Sequence, residues 1–367
     1  MGGRVPLARR NLLADPRRLA ASALAVGMAV MLILLLDGLW AGVRSQVTRY
    51  EDAVGAQLFV VAPGTRSLFA EGSRIPLRTL DVVQATEEVD WAAPVRGQFA
   101  ILDLHGRKVA TTLVGSVPGN QGGPWSMAKG RAPARDREAV VDQVLADRHD
   151  LRVGDEIEIL GGQFQIVGLS QGTSSFMTGF VFVTHHAVDT LLRAPTTTTA
   201  VLVGTTRPDQ VRQRLEADGL TVLDRQQLSQ AGLALATRIY GTPLRLMVLV
   251  AFAAGTLIIA LTAYTAVAER TREYGIVKAM GATNRRLTGL AVAQTAMLAA
   301  AGTLTGFVLF ALGRLAITTA RPQFTILLTS GAIARAIGAA LIMGTLAALI
   351  PARRLARLDP AVAYRGS

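Results

Sequence analysis

The sequence has no cysteine, few aromatic residues and few charged residues. Of its 367 residues, none is cysteine, 5% are aromatic and 17% are Asp, Glu, Lys or Arg, whereas soluble proteins carry about 25% charged residues. The absence of cysteine excludes disulfide bonds and a cysteine nucleophile, and it fits a chain that faces an oxidising exterior. The shortage of charge argues against a soluble enzyme and indicates segments that lie in lipid.

Motifs for nucleotide and metal binding are also missing. No G-x-x-x-x-G-K-S/T pattern occurs, so the chain has no loop of that type to cradle the phosphates of ATP, and an ATP-driven activity would need a separate nucleotide-binding subunit. The histidines lack the spacing of a metal site, because His105 and His149 have no spaced partner and the adjacent His185 and His186 would point to opposite faces of a strand. We therefore predict no catalytic, cofactor or metal site in this chain and no enzyme activity.

The sequence contains four long apolar runs. At ~1.5 Å per residue, each run is long enough to cross the ~30 Å hydrocarbon core of a bilayer. The second and third runs contain no charged residue. The predicted transmembrane helices are 19–43, 246–268, 288–313 and 332–350.

The net charge of +12 is concentrated beside these runs. Segments 1–18, 269–287 and 351–367 together hold 14 basic and four acidic residues, whereas residues 44–245 hold 21 of each. In a soluble protein such an excess would indicate nucleic-acid binding, but basic residues in short segments next to membrane crossings are typical of cytoplasmic loops. We therefore predict no nucleic-acid partner, a cell-membrane location, cytoplasmic N- and C-termini, and outward-facing segments 44–245 and 314–331.

The first apolar run is interpreted as a retained helix rather than a cleaved signal peptide. Residues 1–18 are predicted to form a cytoplasmic amphipathic entry whose arginines rest among lipid headgroups. The run that follows continues for 18 residues before Asp37, beyond the about 7–15 residues of a signal peptide, and no convincing small-x-small cleavage site follows it.

Residues 44–245 show alternating helix and strand patterns. The predicted elements are strands over 57–64 and 111–119, helices over 76–89 and 207–219, and a helix followed by a hairpin over 138–169. Gly161 and Gly162 supply the turn of that hairpin. The predicted fold class is therefore a membrane protein with four transmembrane α-helices and an α+β extracytoplasmic domain inserted between helices 1 and 2.

Small residues recur at helical spacing within the predicted membrane helices. Gly302 and Gly306 form a G-x-x-x-G pair, and Ala340, Gly344 and Ala348 repeat every four residues. Such faces let helices approach closely, so we predict that Gly302, Gly306, Ala340 and Gly344 lie at helix–helix contacts. The alternative is that an alanine-rich chain produces these spacings by chance. Because each chain has only four helices, we expect a second chain, most simply an identical one, to complete the bundle within membrane lipid.

Two charged residues interrupt the apolar runs. Asp37 lies in the outer part of helix 1, and Arg335 lies near the outer end of helix 4. Ionisable groups at membrane depth are costly and are often functional. Either both side chains simply reach the outer interface, or they pair with each other or line an entry for substrate from the outer leaflet. The second hypothesis makes Asp37 and Arg335 a candidate membrane-embedded site.

The segment ERTREYGIVKAMGATNRRL (269–287) is charged but carries one apolar face. Tyr274, Val277 and Met280 recur every three residues and predict a short amphipathic helix, which Gly281 would end. One alternative is a loop that merely connects two membrane helices. Because a helix this short is marginal alone in water, we expect it to be stabilised by lipid headgroups or by docking on another protein.

This segment resembles the cytoplasmic loop of MacB/LolC/FtsX-type ABC transporter permeases. The stretch PARRLARLDPAVAYRG (351–366) resembles the C-terminal signature of the same family, and residues 130–169 resemble the MacB-type extracytoplasmic core domain. The order of one helix, a large outer domain and three helices also matches, so the resemblance covers essentially the whole chain. Within this type VII exporter family, the short total length is similar to that of the DevC/HrtB-like branch.

The resemblance implies that a partner subunit supplies the energy. In that family two copies of an ABC ATPase bind ATP and Mg, and the cytoplasmic loop forms a coupling helix that docks on them. On this resemblance, the residues that contact the ATPase are Arg272, Glu273, Tyr274, Gly275, Val277, Lys278, Ala279, Gly281 and Ala282. Tyr274 stands where the family often has another apolar residue, so the pocket that it meets would differ in detail.

Two functions remain open on this resemblance. The first is efflux, in which ATP hydrolysis drives export or extraction of a hydrophobic substrate such as haem, a drug, a lipid, a lipoprotein or a peptide. The second is FtsX-like mechanotransmission, in which the protein moves nothing and activates a cell-wall hydrolase across the membrane. The size of segment 44–245 and its resemblance to the MacB core favour export.

Overall fold

The structure is a computed structural model that describes residues 16–69, 73–104, 106–119, 121–174, 179–194, 196–269, 276, 278, 280, 282–320 and 324–356. The described residues form two compact units. The first unit comprises the residues up to Ala41, Gly241–Ala320 and the residues from Thr325 onward. The second comprises Gly42–Tyr240 together with Phe324.

Helices dominate the first unit, and strands dominate the second. The helices are α1 (Pro16–Val47), α2 (Arg49–Ala53), α3 (Thr79–Ala85), α4 (Gln143–Arg148), α5 (His185–Leu192), α6 (Pro208–Ala217), α7 (Arg225–Ala236), α8 (Thr242–Glu269), α9 (Asn284–Ala320) and α10 (Ser330–Ala356), with a π-helical turn at Thr237–Gly241. The strands are β1 (Leu58–Val61), β2 (Ile75–Pro76), β3 (Trp91–Leu104), β4 (Arg107–Ser116), β5 (Met127–Gly130), β6 (Glu138–Asp142), β7 (Glu156–Ile159), β8 (Gly162–Ser170), β9 (Gly179–Thr184), β10 (Thr197–Thr198), β11 (Ala200–Gly204) and β12 (Thr221–Asp224).

The first unit is built from the four longest helices, α1, α8, α9 and α10. Each contains a stretch that is long and apolar enough to cross a membrane. Their common core includes the fully buried side chains of Val26, Leu34, Ile259 and Met343. Large apolar side chains also cover the outside of the bundle, as expected for a surface that faces lipid rather than water.

Helix α9 continues beyond the predicted membrane span. It runs to Ala320, so residues 314–320 of the predicted outer loop 314–331 are helical. The physical reason is that Leu315–Ala320 contains neither glycine nor proline, and the helix therefore has no signal to stop at Gly313.

The second unit is organised around one mixed sheet. Its strand order is β12–β1–β11–β3–β4–β9–β6–β8–β5, and β7 pairs with both β3 and β8. The β4–β9 and β6–β8 pairs are parallel, while the remaining pairs are antiparallel. Helices α3 and α6 cover one part of the sheet, where Val83, Val211 and Leu215 pack against β1 and β11.

Several local predictions for this unit were wrong in detail. Residues 138–142 form the interior strand β6, between β9 and β8, rather than the start of a helix, and the helix begins only at Gln143. His185 and His186 open helix α5 instead of lying in a strand. The long strand β3 was not predicted, because its proline and glycine interrupt the expected alternation.

Candidate functional site

The segment predicted to contact an ATPase is described only in part. Arg272, Glu273, Tyr274, Gly275, Val277, Ala279 and Gly281 lie outside the described residues. Ile276 and Lys278 are helical, and the amide of Met280 donates to the carbonyl oxygen of Ile276 at 3.0 Å. The side chain of Met280 is 74% exposed. An apolar side chain is therefore open to a partner within this segment.

A small apolar cluster joins the two ends of this segment. Val267 near the end of α8 and Leu287 near the start of α9 are buried against each other, and Ala282 and Leu290 pack on them. Ala282, one of the residues predicted to contact the ATPase, thus packs on this cluster. A force applied to residues 269–287 would reach α8 and α9 together.

The predicted packing residues lie at close contacts between helices. A Cβ atom at Gly302 would lie 2.6 Å from Cβ of Val26, and one at Gly306 would lie 2.7 Å from Cβ of Val30. Real Cβ atoms do not approach other carbon atoms that closely, so α9 can contact α1 at this distance only with glycine at both positions.

Helix α10 is held in the bundle by the second set of small residues. Ala340 is buried, and a Cβ atom at Gly344 would lie 3.2 Å from Cβ of Ala299 on α9. On the neighbouring helix, a Cβ atom at Gly255 would lie 2.7 Å from Sδ of Met343. The small residues therefore bring α8, α9 and α10 together, with little space for independent movement of single helices.

The structure brings Asp37 and Arg335 together. Nε of Arg335 donates to Oδ2 of Asp37 at 2.7 Å, which joins α1 to α10. The side chain of Asp37 is 20% exposed and that of Arg335 is 62% exposed. The pair lies where α1 approaches its C-terminal end and where α10 begins, and we call this the upper end of the bundle.

The connection into α10 is fixed to α1 beside this ion pair. The amide of Leu327 donates to the carbonyl oxygen of Gly38 at 3.1 Å. A Cβ atom at Gly38 would lie 2.9 Å from Cγ2 of Ile326, so the close approach requires glycine. Thr329 then caps α10, since its Oγ1 accepts from the amide of Ala332 at 3.1 Å.

Two constellations in the second unit resemble hydrolase sites without the access that catalysis needs. Gly168–Gly172 reads G-x-S-x-G, the nucleophile pattern of many hydrolases, yet Ser170 is fully buried and lies within hydrogen-bond distance of Thr173, 2.7 Å away. The G-x-S-x-G pattern is visible in the sequence. The structure shows that Ser170 lies at the end of β8 without solvent access, and this burial excludes it as a nucleophile.

The second constellation is a chain of polar contacts that runs from Thr198 through His185 to Asp189. Oγ1 of Thr198 lies 3.2 Å from Nε2 of His185, and Nδ1 of His185 lies 3.1 Å from Oδ2 of Asp189. Thr198 is fully buried and donates to the carbonyl oxygen of Val95 at 2.9 Å. Burial lowers the pKa of His185. These residues tie α5 to the sheet and offer no accessible nucleophile.

Two carboxylates of the second unit have shifted pKa values for opposite reasons. The side-chain hydrogen bond from Arg131 lowers the pKa of Glu138 to about 2. Burial raises the pKa of Glu51 to about 7, and its Oε2 has no hydrogen-bond partner among the described residues. Neither group lies in a cluster that could hold a metal ion, and the described part of the chain contains no such cluster.

Comparison with known proteins identifies the family. The model of the MacB-like periplasmic core domain matches residues 19–218, and that of the FtsX-like permease C-terminal region matches residues 245–360. The chain belongs to the MacB/FtsX-type ABC transporter permeases. The predicted family and the predicted fold class, four apolar helices with the core domain between the first and second, are thereby confirmed. A permease of this kind is a multi-pass membrane protein and implies an ATPase partner.

Several individual proteins are similar to this chain. An uncharacterized ABC transporter permease of Mycobacterium tuberculosis is 24% identical over 98% of this chain and 99% of its own length. The macrolide export ATP-binding/permease protein MacB of Hyphomonas neptunium is 22% identical over 98% of this chain and 60% of its own length. The crystal structure of the periplasmic region of MacB from Actinobacillus actinomycetemcomitans covers 48% of this chain and 92% of that chain, with 10% identity and a TM-score of 0.38.

Proposed function

We propose that this permease exports or extracts a hydrophobic substrate, driven by ATP hydrolysis in two copies of a separate ATPase subunit. In this scheme the ATPase docks on residues 269–287 at the cytoplasmic side. The helix bundle relays the resulting movement to the domain formed by residues 42–240, which faces outward. A second permease chain, most simply an identical one, completes the complex.

The choice of export rests on the match of residues 19–218 to the MacB-like periplasmic core domain, and the mechanical coupling rests on the continuity of one helical run. Helical residues extend without a break from Arg225 to Glu269, through the π-helical turn Thr237–Gly241. This run begins directly after strand β12 of the sheet and ends at the segment proposed to meet the ATPase. In this proposal the run is the path along which force passes, and π-helical turns such as the one within it often occur at functional positions in helices.

The apolar cluster at the base of the segment supports the same path. Because Val267 and Leu287 are buried together, displacement of residues 269–287 would move α8 and α9 as a pair. The close glycine contacts of Gly302 and Gly306 would pass that movement to α1, the other helix that leads into the outer domain.

A charge reversal in the docking segment tests the ATPase contact. Lys278→Glu should reduce copurification of the ATPase and substrate-stimulated ATP hydrolysis by about tenfold, as expected when a like charge replaces a contact at an interface. Arg285→Glu is the matched control, because it makes the same charge change in the same segment outside the predicted contact set. Equal effects of the two variants, or no effect of either, would contradict docking at this segment.

The factor that stimulates ATP hydrolysis distinguishes export from signalling. If the complex is an exporter, a hydrophobic substrate added to proteoliposomes should raise the rate of ATP hydrolysis without any further protein. Stimulation that requires a cell-wall hydrolase, with no response to candidate substrates, would instead support the FtsX-like function.

A further inference from the structure

The upper end of the bundle presents a charged pair above an open apolar stripe on α10. Arg335, Gly338, Ile342, Leu346 and Leu349 follow one another at three- and four-residue spacing, so they lie on one face of the helix. Ile342 is 53% exposed and Leu349 is 50% exposed. At ~1.5 Å per residue this stripe is about 21 Å long, which exceeds the ~15 Å depth of one leaflet.

The stripe has an open gap directly beneath the arginine. A Cβ atom at Gly338 would meet no other atom within 4 Å. The guanidinium group bends away from this gap toward the start of α10, because its Nη1 lies 3.2 Å from where a Cβ atom of Gly331 would be. A chain lying along the stripe would therefore meet no side chain at Gly338 and would reach the guanidinium at its upper end.

Both side chains of the ion pair have atoms left to form further hydrogen bonds. Asp37 accepts through Oδ2 and Arg335 donates through Nε. Within the described part of the chain, the two terminal nitrogens of Arg335 bond no acceptor and Oδ1 of Asp37 bonds no donor. The guanidinium fork suits a phosphate group, while the free carboxylate oxygen suits an ammonium donor.

The charge balance decides which ligand fits. The pair is neutral as a whole, so a ligand with a net charge would leave part of that charge without a partner beside it. A head group that carries one anionic and one cationic group adds no net charge and can satisfy both free sides of the pair. An ammonium with N–H donors fits the carboxylate better than a fully methylated one.

We propose that Asp37, Arg335 and the exposed stripe of α10 bind a zwitterionic phospholipid with a primary ammonium, such as phosphatidylethanolamine. Its phosphate accepts from the terminal nitrogens of Arg335, its ammonium donates to Oδ1 of Asp37, and one acyl chain lies over Gly338 and Ile342. The proposal concerns a bound lipid and is independent of the substrate that the complex moves.

Native mass spectrometry of the full chain in mild detergent tests the proposal. The probes are phosphatidylethanolamine, phosphatidylcholine and phosphatidylglycerol with identical acyl chains, added in equal amounts. The expected result is about fivefold preferential retention of phosphatidylethanolamine, the factor that one exposed charge pair supplies. Equal retention of all three lipids, or preference for phosphatidylglycerol, would overturn the proposal.

Variants separate the parts of the site. Asp37→Asn should abolish the preference for phosphatidylethanolamine over phosphatidylglycerol, and Arg335→Gln should lower retention of all three lipids. Arg314→Gln is the matched control, because Arg314 is also exposed and lies six residues from the end of α9. It should leave the preference unchanged, and an equal effect of Arg314→Gln would contradict a specific site.

A third variant keeps the test decisive if loss of the ion pair prevents folding. Gly338→Leu leaves the pair intact and fills a position that has open space around it. It should lower retention of phosphatidylethanolamine while the thermal transition stays as in the wild type. Unchanged retention would contradict an acyl chain lying over Gly338, and a change in the monomer–dimer distribution alone would show that a second copy covers this face; either result would overturn the proposal.

Discussion

Single residues decide how closely the membrane helices approach one another. Gly302 and Gly306 could be predicted as contact residues from their spacing, but their partners Val26 and Val30 could not. Contacts between α1 and α9 join residues that are far apart in the sequence, and periodicity reports which face is buried without reporting what covers it. For Asp37 and Arg335 the sequence leaves pairing as one of several alternatives, and the structure shows the pair.

Replacement of a packed glycine should destabilise the bundle. Gly302→Val places new carbon atoms within contact distance of Val26, and overpacking of this kind costs about 1–3 kcal/mol. The thermal transition of the detergent-solubilised protein should therefore fall by several degrees. Gly338→Val is the control, because a Cβ atom there meets nothing within 4 Å. Similar transitions for the two variants would show that the close contact between Gly302 and Val26 does not matter for stability.

Glu51 should make stability depend on pH. Its pKa is raised from 4.5 to about 7 in the folded state, chiefly by burial. Between these values the folded protein keeps a proton that the unfolded chain has released, so the contribution of Glu51 to stability falls as the pH rises through this window, by about 3 kcal/mol in total.

The matching variant is Glu51→Gln, which removes the titrating group. Its thermal transition should exceed that of the wild type at about pH 8, and the two should agree at about pH 4. Asp52→Asn changes the exposed neighbouring carboxylate, and it should shift the transition far less. A wild-type advantage at about pH 8 would contradict a buried, poorly solvated carboxylate.

At the scale of elements, long periodic segments were predicted better than short ones. The four apolar helices are evident from length and composition alone. In contrast, the short apolar stretch 139–141 fits a buried strand as well as a helix, since all five residues of β6 are buried and no alternation distinguishes the two. Asp142 ends this strand and caps α4, a boundary that a carboxylate before an apolar run could have indicated.

Asp142 should be important for the local fold of the second unit. Its carboxylate accepts from the amides of Val144 and Leu145 and from the hydroxyl groups of Thr173 and Ser174. Asp142→Ala leaves these buried donors unpaired, so we expect a loss of at least about 2 kcal/mol. Asp209→Ala, at an exposed position in the first turn of α6, should change the thermal transition by much less. Equal effects in thermal unfolding would contradict the anchoring role of Asp142.

At the scale of the whole molecule, charge placement carries the prediction of orientation. The basic excess lies in segments beside the membrane runs, while residues 44–245 are neutral as a whole. This pattern, together with family membership, supports the proposed scheme, in which the ATPase acts on residues 269–287 and residues 42–240 move in response. The contact partners within the bundle could not be derived in this way, because they depend on tertiary packing rather than on composition.

The central claim is that the segment around Lys278 faces the ATPase in the cytoplasm. Because the chain has no cysteine, Lys278→Cys and Glu216→Cys each introduce a single thiol, the second at an exposed position of α6 in the domain proposed to face outward. A membrane-impermeant maleimide applied to intact cells should label Glu216→Cys and leave Lys278→Cys unlabelled, and inverted membrane vesicles should give the reverse. Labelling of Lys278→Cys in intact cells would contradict the account.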